Sequence, residues 1–205
     1  MKKKKIGSNT LLLYITIALF FVMYLIGCIL YGSKGFTHFQ TFLNLFITNA
    51  GLMCVACGMT CVMLTGGIDI SVGALIALDC MFLAYCMGTL HINAVIMILF
   101  VLIFGLLFGL MQGYFVGYLG IQPFIVTMAG LYFCRGLTAC ISGDQLPISD
   151  KLFSSWANAK ILLPFGAYVN SKGKTMQPFI RITVIVAILV VIVIFLMLKY
   201  SKFGR

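Results

Sequence analysis

Leu11 to Leu30 is a run of twenty residues without a single charge, and a chain that contains such a run has few folds open to it. In hydrocarbon every backbone N–H and C=O must find its partner within the segment. An apolar run of about 20 residues, enough to cross ~30 Å at 1.5 Å per residue, therefore reads as a transmembrane helix. Five further segments have the same character: Phe42 to Leu64, Val72 to Leu90, Ala94 to Phe115, Phe124 to Ile141 and Phe179 to Leu198. Each is bounded by Gly, Pro, Asn or charge, the residues that start and stop helices. The expected fold class is all-α, a polytopic transmembrane helix bundle of about six spans, with residues 1–205 as one transmembrane domain. The first run is too long for the core of a secretory signal peptide, and Leu30-Tyr31-Gly32 offers no small-residue cleavage site, so it reads as a retained span.

Charge placement sets an expected orientation. Of the 205 residues 62% are hydrophobic and 9% charged, against roughly 25% charged in soluble domains. There is no glutamate, and the four acids are Asp69, Asp79, Asp144 and Asp150. The formal charge of +10 thus reflects scarce acid, and no basic face exists for a nucleic acid to follow, so nucleic acid is excluded as a partner. Lys2 to Lys5 abut the first span, a flank of the kind retained in the cytoplasm, and the short loops Gly66 to Ser71 and Gly117 to Gln122 carry no base to contradict it. Both termini are then cytoplasmic, and the polar stretch 142–178 is an external loop. Its Trp156, Phe153, Phe165 and Tyr168 suit anchoring at the lipid interface, or contact with a sugar or a partner protein.

Four motifs carry structural information. Gly105, Gly109, Gly113 and Gly117 recur every four residues, on one helix face with about 40° of drift per step. Such a stripe lets another helix backbone approach closely in lipid. Thr65-Gly66-Gly67-Ile68-Asp69-Ile70-Ser71-Val72-Gly73 reads as a sharp turn in which paired glycines permit unusual dihedrals. There Asp69 or Ser71 caps the next helix; alternatively, Asp69 faces a water-filled cavity near a translocation route. Asp79, seven residues into the third segment, must face protein, water or a cation, and Arg135 in the fifth is its candidate ion-pair partner. Cys54, Cys57 and Cys61 share a helix face, but with no fourth ligand nearby they read as small packing residues and not as a metal site. His38 and His91 are isolated, and no nucleophile, base and orienting group converge, so the chain is not expected to be an enzyme or to hold a cofactor.

The stretches Leu64-Thr65-Gly66-Gly67-Ile68-Asp69-Ile70-Ser71-Val72-Gly73 and Ile121-Gln122-Pro123-Phe124-Ile125-Val126-Thr127-Met128-Ala129-Gly130, followed by Arg135-Gly136, resemble the ribose-type sugar permeases of bacterial ABC importers. The resemblance is colinear from about Asn44 to Arg205, and Lys202-Phe203-Gly204-Arg205 looks like that family's short cytoplasmic passage after a span. Ile141-Ser142-Gly143-Asp144-Gln145-Leu146-Pro147-Ile148 is most similar to the galactofuranose permeases. The resemblance implies a multi-pass subunit in the bacterial inner membrane that imports a monosaccharide of the ribose, galactose or galactofuranose class. It also implies a second permease subunit, identical or not, a cytoplasmic ABC ATPase and an extracytoplasmic sugar-binding protein as partners. Asp69 matches the acid of the glycine-glycine motif, Pro123 and Thr127 match the second motif, and Arg135 matches its arginine; Asp79 and the Cys54, Cys57, Cys61 set depart from the pattern. Members of this family continue past the position of Arg205 into a segment that engages the ATPase, which implies a truncated or split form here. Two other roles fit the same features: a non-transporting assembly partner of a larger permease, and half of a secondary carrier using Asp69 and Asp79.

Overall fold

The computed structural model describes residues 8–32, 35–148, 150–164, 167–169 and 175–201. Lys2 to Lys5, on which the expected orientation rests, lie outside the described residues, as do Phe165 of the polar stretch and Lys202 to Arg205 of the family resemblance. Among the described residues six long apolar helices carry the chain: α1 (Ser8–Tyr31), α2 (Phe39–Leu64), α3 (Val72–Gly88), α4 (Ala94–Gly117), α5 (Pro123–Ile141) and, after the polar stretch, α7 (Ile182–Tyr200). Five of them have the length and composition to cross a membrane. The third, α3, has 17 residues, about 26 Å of helix, so the expected end at Leu90 is corrected to Gly88. The physical reason is local: His91 takes a positive φ of 53°, and Asn93 caps α4 by accepting from Val95 N–H at 2.9 Å, so the chain has already turned. Pro123 occupies the first turn of α5, where its missing N–H costs nothing.

The polar stretch is more structured than its composition suggested. It holds a short helix, α6 (Lys151–Ala157), opened by Asp150 accepting from Phe153 N–H at 2.7 Å. Four short strands follow: β1 (Lys160–Leu162), β2 (Tyr168–Val169), β3 (Thr175–Met176) and β4 (Phe179–Arg181). β1 pairs with β4, and β2 with β3 in antiparallel register, Tyr168 opposite Met176. The sixth apolar segment, expected to be helical from Phe179, therefore begins as a strand and becomes helix at Ile182.

Two compact units divide the chain, Met1–Thr48 with Ile161–Ile180, and Asn49–Lys160 with Arg181–Arg205. In the first, the buried Gln40 bridges to the backbone of Phe179, accepting from its N–H at 2.8 Å and donating to its carbonyl at 3.4 Å. In the second, α3, α4 and α5 pack around Ala74, Leu78, Phe108 and Cys134, and a second cluster joins Cys86, Met87, Ala94 and Met97 near the α3–α4 turn. Large apolar side chains are exposed along the helices, among them Ile29 at 81%, Leu102 at 66% and Phe195 at 60%. An apolar surface of that extent is the surface of a membrane protein, because contact with lipid tails costs such side chains nothing.

Candidate functional site

The turn between α2 and α3 folds on itself before α3 begins. Gly66 has a φ of +78°, a conformation that strains any residue with a Cβ, and Gly67 N–H donates to Val62 carbonyl at 3.2 Å. Of the two glycines, the first supplies the left-handed residue. The second faces α5: a Cβ on Gly67 would make ordinary van der Waals contact with the Pro123 ring at 3.5 Å, so the start of α5 rests on the turn.

Asp69 lies two residues before the N-cap of α3 and bonds the cap residue itself. Its Oδ1 accepts from Ser71 N–H at 2.8 Å and from Ser71 Oγ at 2.6 Å, and the side chain of Ser71, the N-cap of α3, makes no capping bond of its own. Ser71 is 1% exposed, and its Oγ also accepts from Gln112 Nε2 of α4 at 3.0 Å. A polar relay thus runs from α4 through Ser71 to Asp69. On the other side of the turn, Thr127 Oγ1 of α5 donates to Ile68 carbonyl at 3.2 Å, with Phe124 carbonyl at 3.3 Å. Gly130 of α5 closes the packing: a Cβ there would collide with Gln112 Nε2 and meet Phe108 and Ser71.

These contacts surround a cavity of about 290 Å³ lined by Gly67, Asp69, Gly109, Gln112, Pro123 and Thr127, among others. The two motif segments, 59 residues apart at Thr127 and Ile68, therefore meet at one place, where Asp69 both braces Ser71 and lines open space. Gly105, Gly109, Gly113 and Gly117 all lie in α4, and a Cβ on any of them would meet nothing within 4 Å. Gly109 and Gly113 border the cavity.

Asp79 and Arg135 are placed apart. Asp79 lines a cavity of about 260 Å³ with Phe82, Phe100 and Phe104, while Arg135 lines another of about 600 Å³ between α3 and α5. No ion pair joins them among the described residues. The separation follows from helix phase: Leu78, Asp79 and Phe82 turn toward α4, whereas Gly73, Ala77 and Met81 turn toward the α5 face that carries Arg135. Cys54, Cys57 and Cys61 are half-buried free thiols, and among the described residues no group of three or more His, Cys, Asp or Glu is arranged to hold a metal ion.

Gln112 went unnoticed in the sequence, and Gly130 entered only as the last residue of the second motif. The available signal was an amide in the apolar α4, placed between Gly109 and Gly113.

Comparison with known proteins covers most of the chain. A family model described as branched-chain amino acid transport system / permease component matches residues 41–205. The chain is similar to the inner membrane ABC transporter permease protein YjfF of Escherichia coli, 33% identical over 180 residues, covering 88% of this chain and 54% of that protein. It is similar also to the fructose import permease protein FruG of Bifidobacterium longum, 28% identical over 190 residues, covering 92% and 53%. The chain spans about half the length of these curated relatives. No solved structure matches it.

Proposed function

We propose a function from a single premise: this chain belongs to the branched-chain amino acid transport system / permease component family. Its role is that of a membrane-spanning permease subunit of a bacterial ABC importer for a monosaccharide, in the inner membrane, with ATP hydrolysis in a separate subunit. The relatives support both parts of that reading, one being named an inner membrane ABC transporter permease and the other a fructose import permease. A second permease subunit, a cytoplasmic ATPase and an extracytoplasmic sugar-binding protein complete the assembly. The Lys2 to Lys5 flank supports an N-terminus on the cytoplasmic side, which puts the motif junction there too. Sugars of the ribose, galactose and galactofuranose class are the proposed cargo.

The observation that carries this reading is the convergence of both motif segments on one cavity through small residues and few hydrogen bonds. Alternating access needs packed helices with two arrangements of similar free energy. Contacts through Gly67 and Gly130, with interhelical hydrogen bonds averaging about 0.6 kcal/mol in membranes, are inexpensive to remake.

The test is uptake of radiolabelled D-ribose, D-galactose and D-fructose by source cells with the encoding gene deleted and restored. Uptake of at least one sugar should disappear on deletion, return on restoration and stop when ATP is depleted. Uptake that survives ATP depletion but collapses with the ion gradient would assign a secondary carrier instead. Unchanged uptake of all sugars after deletion would reject transport.

A further inference from the structure

We propose that the cavity between α3 and α5 is where the sugar is held in transit, and that Arg135 reads it by offering paired guanidinium N–H donors to neighbouring hydroxyl oxygens. This rests on the sugar-permease reading above and adds a place and a recognising residue to it.

The cavity has two unlike walls. Arg135 and Thr138 stand three residues apart on α5, on one helix face, Ser142 follows at the extended residue that ends the helix, and all three line the space. Opposite stand Gly73, Ala74 and Ala77 of α3, too small to fill it. The result, about 600 Å³, is within the ~300–1,000 Å³ of small-molecule sites.

Arg135 lies about two-thirds of the way along a membrane helix, is exposed, and makes no hydrogen bond or ion pair among the described residues. A guanidinium is permanently charged and carries only donors, so at membrane depth it is kept facing water or polar cargo. Thr138 supplies the complement. Its hydroxyl hydrogen goes to Cys134 carbonyl at 2.8 Å, leaving its oxygen lone pairs to accept. A sugar hydroxyl is both donor and acceptor, and finds both partners on this stripe.

Two of the other cavities match a polyol less well. The space beside Asp79 is walled by Phe82, Phe100 and Phe104 and offers one carboxylate. The one between α4 and α5, about 430 Å³, is walled chiefly by apolar side chains such as Met111, Phe115 and Ile125. Each hydroxyl left unpaired there would carry its full desolvation cost.

The experiment compares restored cells carrying wild-type, Arg135→Gln or Arg135→Lys chain. It measures uptake of each transported sugar of the panel against its monodeoxy analogues, with membrane levels checked by immunoblot. Any preference of the binding protein is common to all three strains and cancels in the ratio. Wild type should reject at least one analogue by about tenfold more than Arg135→Gln does, since a hydrogen bond to a charged group is lost in one case only. Arg135→Lys, which keeps the charge without the fork, should lose most of the same discrimination. If Arg135→Gln fails to accumulate, the Lys variant carries the comparison. Analogue ratios identical across the strains would overturn the role of Arg135 and leave the permease reading intact. A Lys variant that discriminates like wild type would overturn paired recognition. Absence of uptake by wild type would overturn the permease reading itself.

Discussion

Gln112 sits in a helix of 24 residues built almost wholly from Ala, Val, Ile, Leu, Met, Phe and Gly, and one amide there organises three elements. Its Nε2 holds Ser71 Oγ and lies where Gly130 would place a Cβ. Two effects of different size follow. Gly130→Ala forces Gln112 and Phe108 to shift and should cost ~1–3 kcal/mol, the usual penalty of overpacking. Gln112→Leu keeps the volume and loses one interhelical hydrogen bond, about 0.6 kcal/mol in membranes. Thermal unfolding of the detergent-solubilised chain should rank them in that order, and Gly130→Ala should cost less in a Gln112→Ala background, where only the Phe108 and Ser71 contacts remain. Equal costs in both backgrounds would mean that Gly130 does not pack on Gln112. The neighbouring Asp69 was legible as a candidate, because an acid after paired glycines is conspicuous. Its bond to Ser71 was not, since cap and Asx-turn need the same residues and differ only in dihedrals.

Each element has its own sensitive point. In the α2–α3 turn, Gly66→Ala should cost ~1–2 kcal/mol for forcing a Cβ into a positive φ, although nothing lies within 4 Å of the added methyl. Gly67→Ala has ordinary dihedrals and only van der Waals contacts near 3.5 Å, so it should stay within about 0.5 kcal/mol. Unfolding midpoints that show the two glycines equally intolerant would contradict this division of labour. In α4, Gly105→Ala meets open space and replaces a poor helix former, a gain of up to ~1 kcal/mol. The midpoint of the isolated chain should therefore not fall. A fall would reveal packing against the stripe within this chain. Helix boundaries were readable to within a turn where Pro123 or Asn93 punctuates the chain. The start of α7 was not, because Phe179–Arg181 pairs with a strand some twenty residues earlier, β1 (Lys160–Leu162), and apolar strand and apolar helix look alike in sequence.

For the whole molecule, the exposed apolar surfaces of α1, α4 and α7 set the solvent the protein requires. Dilution below the critical micelle concentration should aggregate it, whereas transfer into lipid vesicles should preserve its helicity; light scattering and circular dichroism distinguish the outcomes. A monodisperse, helical chain in plain buffer would be incompatible with the fold described here.

The amino-acid sequence was sufficient for the class of fold, the presence of six apolar helical segments and the two motifs that mark the family. All three are local properties: a run long enough to cross lipid must satisfy its backbone within itself, whatever its neighbours do. Which polar groups meet was decided only by tertiary packing. Apolar residues surround the long helices on nearly all sides, so little marks a face as inward. Lipid tails are as apolar as leucine and give no hydrophobic drive to turn a helix one way or another. The rotation of each helix about its axis, and with it the separation of Asp79 from Arg135 and the meeting of Gln112 with Ser71, therefore depends on where small residues allow close approach.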